Sequence, residues 1–187
     1  VGLAFAIGGL STLALMASVE GGYLSVLPGL LALGFGMGLT MTPSTEAITA
    51  TLPAEKQGVA SALNDTSREL GGAVGVALLG SILTSGYSDR VADFAGGLPG
   101  ELGRAVGDDY FVALGIAEAE AAENPGLAGQ IIDAAQHAYV DSWAATMWVG
   151  VAFLSVAFVY VLFRGPLGQK APSEVDRVET VASAPAG

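Results

Sequence analysis

Four ionisable side chains stand inside or beside otherwise apolar sequence: Glu46, Asp65, Arg68 and Glu69. On one helix Asp65 reaches Arg68 at i+3 and Glu69 at i+4. A charge held at mid-bilayer costs on the order of 2.5–3.5 kcal/mol by insertion scales. An Asp–Arg pair softens that cost, and two acids within reach of one guanidinium leave one of them free to exchange a proton. The same three residues also read as a solvated collar at the membrane surface, where long charged side chains commonly sit. Glu46 lies one turn past Pro43, among Thr42, Thr45 and Thr49 rather than lysines, and admits both readings.

Upstream of that acid, Gly34 and Gly38 form an i, i+4 pair of small residues, and Gly71 and Gly75 repeat the spacing further on. Small residues at this interval let two helices approach closely in lipid, where packing replaces the hydrophobic effect. Pro43 removes a backbone bond and is expected to kink its helix. Gly34, Gly38, Pro43 and Glu46 are therefore candidates for a substrate path. Asp65, Arg68 and Glu69 are candidates for a charge cluster or latch, and Gly71 and Gly75 for helix packing. No other chemistry is in sight. The chain has no cysteine and one histidine, His137, which excludes a Cys- or His-rich metal centre. His137 lies in an acidic segment and reads as a solvent-exposed residue before it reads as a pH sensor. Trp143 and Trp148, with Tyr139 and Tyr160, read first as an aromatic belt. No catalytic triad and no phosphate loop is recognisable, so an enzyme is not expected.

The elements that must hold these residues are apolar helices. The 187 residues have a mean hydropathy of +0.58, and only 13% are charged, against about 25% in a soluble domain. Four stretches carry no charge: Val1–Val19, Gly21–Thr45, Leu70–Ser88 and Ser142–Phe163. About 20 apolar residues at 1.5 Å each cross a hydrocarbon core of roughly 30 Å. The stretches lack the alternation of barrel strands. The expected fold is an all-α integral membrane protein with four transmembrane helices, beginning in mid-protein at Val1 as a piece of a longer polypeptide.

Residues 1–52 form a two-helix hairpin about the turn Glu20-Gly21-Gly22. Residues 53–88 hold a turn at Pro53-Ala54-Glu55-Lys56 and the third span, with Pro53 and Glu55 suited to a helix N-terminus. Residues 89–141 form a long acidic connection. In it Leu127, Ile131, Ile132, Ala135 and Tyr139 share a face of a short amphipathic helix, resting on the membrane surface or on the protein. Residues 142–164 are the fourth span, and 165–187 a disordered tail. Lys56, Arg68, Arg164, Lys170 and Arg177 fall on one side. Only Arg90 and Arg104, among ten acids, fall on the other. Both ends are therefore expected in the cytoplasm and the acidic connection outside.

From Gly34 to Leu83 three runs form a recognisable pattern. They are Gly34, Gly36, Gly38, Leu39 and Pro43; then Leu52, Pro53, Glu55, Gly58 and Ala60 to Asn64; then Arg68 to Ala73 and Gly75 to Ala77. The pattern resembles the C-terminal end of the fourteen-helix drug/proton antiporters of the major facilitator superfamily, and the layout is similar to their spans eleven to fourteen. Asp65 and Glu69 depart from it, since that family more often has neutral amides there. The resemblance implies a place in a larger helical bundle in the cell membrane. It also implies a proton gradient as energy source, small amphipathic, often cationic substrates and a role in antibiotic resistance. The partners would be the lipid bilayer, the substrate and the N-terminal helices of the same polypeptide, with no nucleic acid and no cofactor. The family's coupling motifs lie in those N-terminal helices. Competing readings are a permease for one metabolite and a free-standing four-helix membrane anchor or interaction module.

Overall fold

Residues 1–50 and 56–164 are described by the computed structural model, less the side chains of Thr42 and residues 46–50. The described residues hold six helices and no strand: α1 Gly2–Met16, α2 Gly22–Ala50, α3 Gln57–Gly96, α4 Gly100–Asp108, α5 Tyr110–Glu120 and α6 Pro125–Arg164. The expected turn at Pro53 and the tail 165–187 lie outside them.

α1 and α2 pack side by side about the Glu20-Gly21-Gly22 turn. Gly22 at the start of α2 has φ +55°, a left-handed conformation that glycine adopts without a Cβ clash. The Gly21 amide donates to Ser18 Oγ at 3.0 Å, which ties the turn. The two helices run antiparallel with backbones nearly touching. A methyl group on Gly9 would lie 2.6 Å from the Leu33 nitrogen, and one on Gly36 would lie 2.6 Å from the Ala6 nitrogen. α6 packs on the outer side of α1, where a methyl on Gly150 would meet Leu10 Cδ2 at 2.5 Å.

Among the described residues three helices are long and apolar enough to cross a membrane: Gly22–Thr45 within α2, α3 and α6. The first expected span, Val1–Val19, corresponds to α1, whose 15 residues make a shorter apolar helix that rises about 22 Å. The two 40-residue helices differ most from expectation. Each rises about 60 Å, twice a hydrocarbon core. α3 runs on through Asp89 to Gly96, and α6 begins at Pro125, well before Ser142. The charged boundaries at Asp89 and Asp141 interrupt the apolar run, not the helix.

The segment 89–141 is therefore not an extended connection. The end of α3, α4, α5 and the first half of α6 pack into a helical cap above the apolar stems of α1, α2, α3 and α6. The main buried cluster is Tyr87, Val91, Val106, Ala113, Ala117, Ala128, Ile131, Ala135 and Ala138. Of the expected amphipathic face, Ile131 and Ala135 are buried, Leu127 and Tyr139 are half-buried against this cluster, and Ile132 is exposed. That face packs on protein. Tyr87 Oη donates to the Val106 carbonyl at 2.9 Å, so the buried hydroxyl has a partner. Asp109 caps α5, its Oδ1 accepting from the Phe111 and Val112 amides at 2.7 and 3.0 Å. Gly103 permits α4 to lie against the end of α3, because a Cβ there would collide with the Ala95 carbonyl.

Candidate functional site

The expected path residues lie along α2. Gly34 and Gly38 point away from α1, and a methyl group on either would meet open space. With Leu30, Leu31, Phe35 and Leu39 they line an apolar groove of about 470 Å³ on the outer face of α2. The glycines that seat α1 are Gly29 and Gly36 on α2, and Gly2 and Gly9 on α1. Each pair is spaced by seven residues, two helical turns, an interval the i, i+4 template passes over although it is visible in the sequence.

Pro43 stays inside α2, as does Pro28, and is exposed. Hydroxyls around it turn back onto their own helix. Thr40 Oγ1 donates to the Gly36 carbonyl at 2.7 Å, Ser44 Oγ to Thr40 at 2.8 Å, and Thr45 Oγ1 to Met41 at 3.1 Å. Such bonds keep hydroxyls satisfied where no water is available. The backbone of Glu46 belongs to the last turns of α2, and its carboxylate lies outside the described side chains.

Asp65, Arg68 and Glu69 all lie on α3 and all are exposed. The expected pairing among them is not formed. Arg68 Nη2 instead donates to Met41 Sδ at 3.4 Å, across to α2. Among the described residues the ion pairs are Arg104–Glu101 at 2.9 Å and His137–Asp133 at 3.4 Å, both in the cap. Arg68 thus ties α3 to α2, while the two acids face outward. Gly71 and Gly75 meet nothing within 4 Å, so that face of α3 has no neighbour among the described residues.

His137 lies where α6 passes the α1–α2 turn. With Glu20, Asp141 and Ser18 it borders a crevice of about 180 Å³. Its Nδ1–H donates to the Asp133 carbonyl at 2.9 Å. That bond holds the imidazole above its ordinary value, with the Asp133 carboxylate adding to the effect. Among the described residues no group of acids and histidine is arranged to hold a metal ion. Nor does any arrangement of nucleophile and base emerge. What the stems offer is an apolar groove on α2, small-residue faces and a few exposed charges.

No family model and no solved structure matches the chain. Curated relatives do. The chain is 35% identical over 143 residues to the multidrug efflux pump LfrA of Mycolicibacterium smegmatis, covering 75% of this chain and 27% of that protein. It is 36% identical over 121 residues to the methyl viologen resistance protein SmvA of Salmonella typhimurium, covering 64% of this chain and 23% of that one. It is 46% identical over 54 residues to the quinolone resistance protein NorB of Staphylococcus aureus, covering 29% and 12%. The chain spans about a quarter of the length of the first two relatives. Over three quarters of its length the chain is therefore homologous to part of a multidrug efflux pump, which bears out the resemblance to the major facilitator drug/proton antiporters read from the sequence.

Proposed function

We propose that the chain supplies the last four crossings of a secondary active exporter, which moves drugs and other small amphipathic compounds out of the cell by alternating access coupled to proton entry. The observation that carries this reading is the 35% identity over 143 residues to a multidrug efflux pump. The stems support it. Large apolar side chains such as Leu31, Val76 and Phe163 are 65%, 76% and 86% exposed. Surfaces of that kind fit lipid, or further helices of the same polypeptide.

α1 is read as the first of these crossings, because it lies antiparallel on α2 in the same apolar layer. With Lys56, Arg68 and Arg164 read by the excess of basic residues on cytoplasmic loops, the foot of the stems is taken to face the cytoplasm and the acidic cap the outside. Gly34 and Gly38 then line the substrate path on the free face of α2, with Pro43 and Glu46 further along the same helix. Asp65, Arg68 and Glu69 form a cytoplasmic latch in which Arg68 exchanges Met41 for an acid between states. Gly71 and Gly75 pack against a helix of the N-terminal portion.

The test is expression of the gene that carries this chain in a bacterial host stripped of its own exporters. Ethidium accumulation should fall several-fold, and a protonophore should abolish the difference. Unchanged accumulation of ethidium and of neutral dyes would overturn the reading, and a membrane anchor or interaction module would take its place.

A further inference from the structure

The cap reverses direction three times, and the middle reversal comes back down to the stems. α3 rises to Gly96, α4 returns along it, α5 climbs along α6, and α6 descends from Pro125. Two contacts mark the descent of α4: Gly103 lies against the Ala95 carbonyl, and the Val106 carbonyl accepts from Tyr87. The corner between α4 and α5, from Asp108 to Val112, is therefore the lowest part of the cap.

Its neighbours set its level. Asp108 to Phe111 share a crevice with Leu83 and Thr84, which lie about 6–8 Å inside the outer end of the uncharged run Leu70–Ser88. Tyr110 stacks on Tyr139 at 4.3 Å, and Phe111 meets the same ring at 6.5 Å. Tyr139 lies about 4–5 Å before the uncharged run that begins at Ser142. α3 places the corner just inside its apolar run and α6 just outside its own, so the corner sits where apolar sequence gives way to charged.

The two helices that meet there differ. α4 is amphipathic, burying Gly103 and Val106 and exposing Glu101, Arg104 and Asp108. α5 has no charged residue from Tyr110 to Ala117. It buries Ala113 and Ala117 in the cap, yet at its lower end Phe111 and Val112 are 71% and 47% exposed. A helix that is apolar all round calls for an apolar surrounding on both sides, and the described residues leave these two side chains uncovered. Depth is limited by Asp108 and Asp109, both exposed at the same corner, because carboxylates are costly in hydrocarbon.

We propose that Phe111 and Val112 form a lipid-dipping wedge, seated in the headgroup region of the cap-side leaflet with Asp108 and Asp109 on its water side. Interfacial apolar faces reach about 5–10 Å into that region, which matches the level of Leu83 and Thr84. The wedge continues the apolar surface of the stems, and it rests on the reading of those stems as bilayer-spanning.

The test is nitroxide accessibility in the full polypeptide, its other cysteines replaced, in phosphatidylcholine nanodiscs. Labels at Val112→Cys, Glu118→Cys and Val76→Cys are relaxed by oxygen, which partitions into lipid, and by a water-soluble nickel chelate. The oxygen-to-nickel ratio at Val112 should exceed that at Glu118 by about five-fold and fall short of that at Val76. Phe111→Ser should lower the Val112 ratio by about half, and Phe111→Trp should retain it. A Val112 ratio equal to that of Glu118, with Val76 in lipid, would overturn the wedge and spare the stems. So would an unchanged ratio in Phe111→Ser, or a Val112 label screened from both reagents, since another part of the polypeptide would then cover the corner. A Val76 label open to nickel would overturn the reading of the stems, and the wedge with it.

Discussion

The cap and the stems of this chain solve opposite packing problems with similar residues. In the cap, alanines and a few larger residues close on one another, and Val106, Ala113, Ala117, Ile131 and Ala135 are sealed from solvent. The acids of 89–141 line its outside. In the stems the arrangement is inverted. Leucine, valine and phenylalanine face outward, and glycine faces inward, at Gly2, Gly9, Gly29 and Gly36. The cap is assembled as water-soluble helices are, by burying apolar area. The stems gain nothing from burial if lipid is their solvent, so close backbone approach holds them. One helix can obey both rules in turn. α6 buries Ile131 and Ala135 in its first half and leaves Phe153, Val156 and Phe163 exposed in its second.

Substitutions that respect one rule and break the other sharpen this contrast. Ile131→Ala in the cap should have the largest effect, a loss of about 2–5 kcal/mol of local stability. Hydrogen exchange should then rise across α5 and the first half of α6, while the stems keep their protection. The same truncation at the exposed Val76 should leave protection unchanged. Gly36→Leu comes next, because the new side chain must displace the α1 backbone at Ala6; overpacking of this kind costs about 1–3 kcal/mol. Its partner experiment, Gly34→Leu, should leave the melting of the α1–α2 pair unchanged, since Gly34 faces open space. If Gly34→Leu instead lowers drug efflux by the whole polypeptide, the free face of α2 is the one used in transport.

Smaller effects probe the polar joints of the cap. Tyr87→Phe removes the hydrogen bond to the Val106 carbonyl and should cost about 1–2 kcal/mol in thermal or denaturant unfolding. Asp109→Ala should cost about 1 kcal/mol by uncapping α5, and Asp109→Asn far less. The smallest is at His137. Its folded value is raised above 6.5, so the pairing is fully present below pH 6.5 and is lost as pH rises through the folded value. An NMR titration of His137 should show the raised midpoint. Asp133→Asn should lower it only partly, because the stronger contribution comes from the Asp133 backbone carbonyl, which the substitution retains.

The sequence made the stems legible and the cap nearly illegible, for physical reasons. Uncharged runs such as Ser142–Phe163 betray apolar helices by composition alone. The hairpin at Glu20-Gly21-Gly22 followed from a charge and two glycines between two such runs. The cap offered no comparable signal. Its buried positions are mostly alanine, whose small apolar area hardly marks a core, and its ten acids suggest an exposed connection. Only the repeat Leu127, Ile131, Ala135, Tyr139 exposed one of its helices. The continuity of α3 and α6 was missed because a charge at Asp89 or Asp141 ends an apolar run without ending a helix. Among the candidate site residues, spacing puts Asp65 and Glu69 within reach of Arg68, but in the structure the guanidinium meets Met41 Sδ instead. The i, i+4 glycines of α2 were visible, yet the pair that seats α1 was set by a two-turn interval.

The central claim is that the stems sit in a bilayer with the cap outside; this chain carries no cysteine, and once any cysteine elsewhere in the polypeptide is replaced, single reporters test it directly. Single cysteines at Glu118 in α5, Val76 in mid-α3 and Lys56 at the foot of α3 would be challenged with a membrane-impermeant maleimide in the full polypeptide in intact cells. The expected result is labelling of Glu118→Cys at once, of Lys56→Cys only after permeabilisation, and of Val76→Cys in neither case. Rapid labelling of Val76→Cys, or of Lys56→Cys in intact cells while Glu118→Cys is shielded, would contradict it.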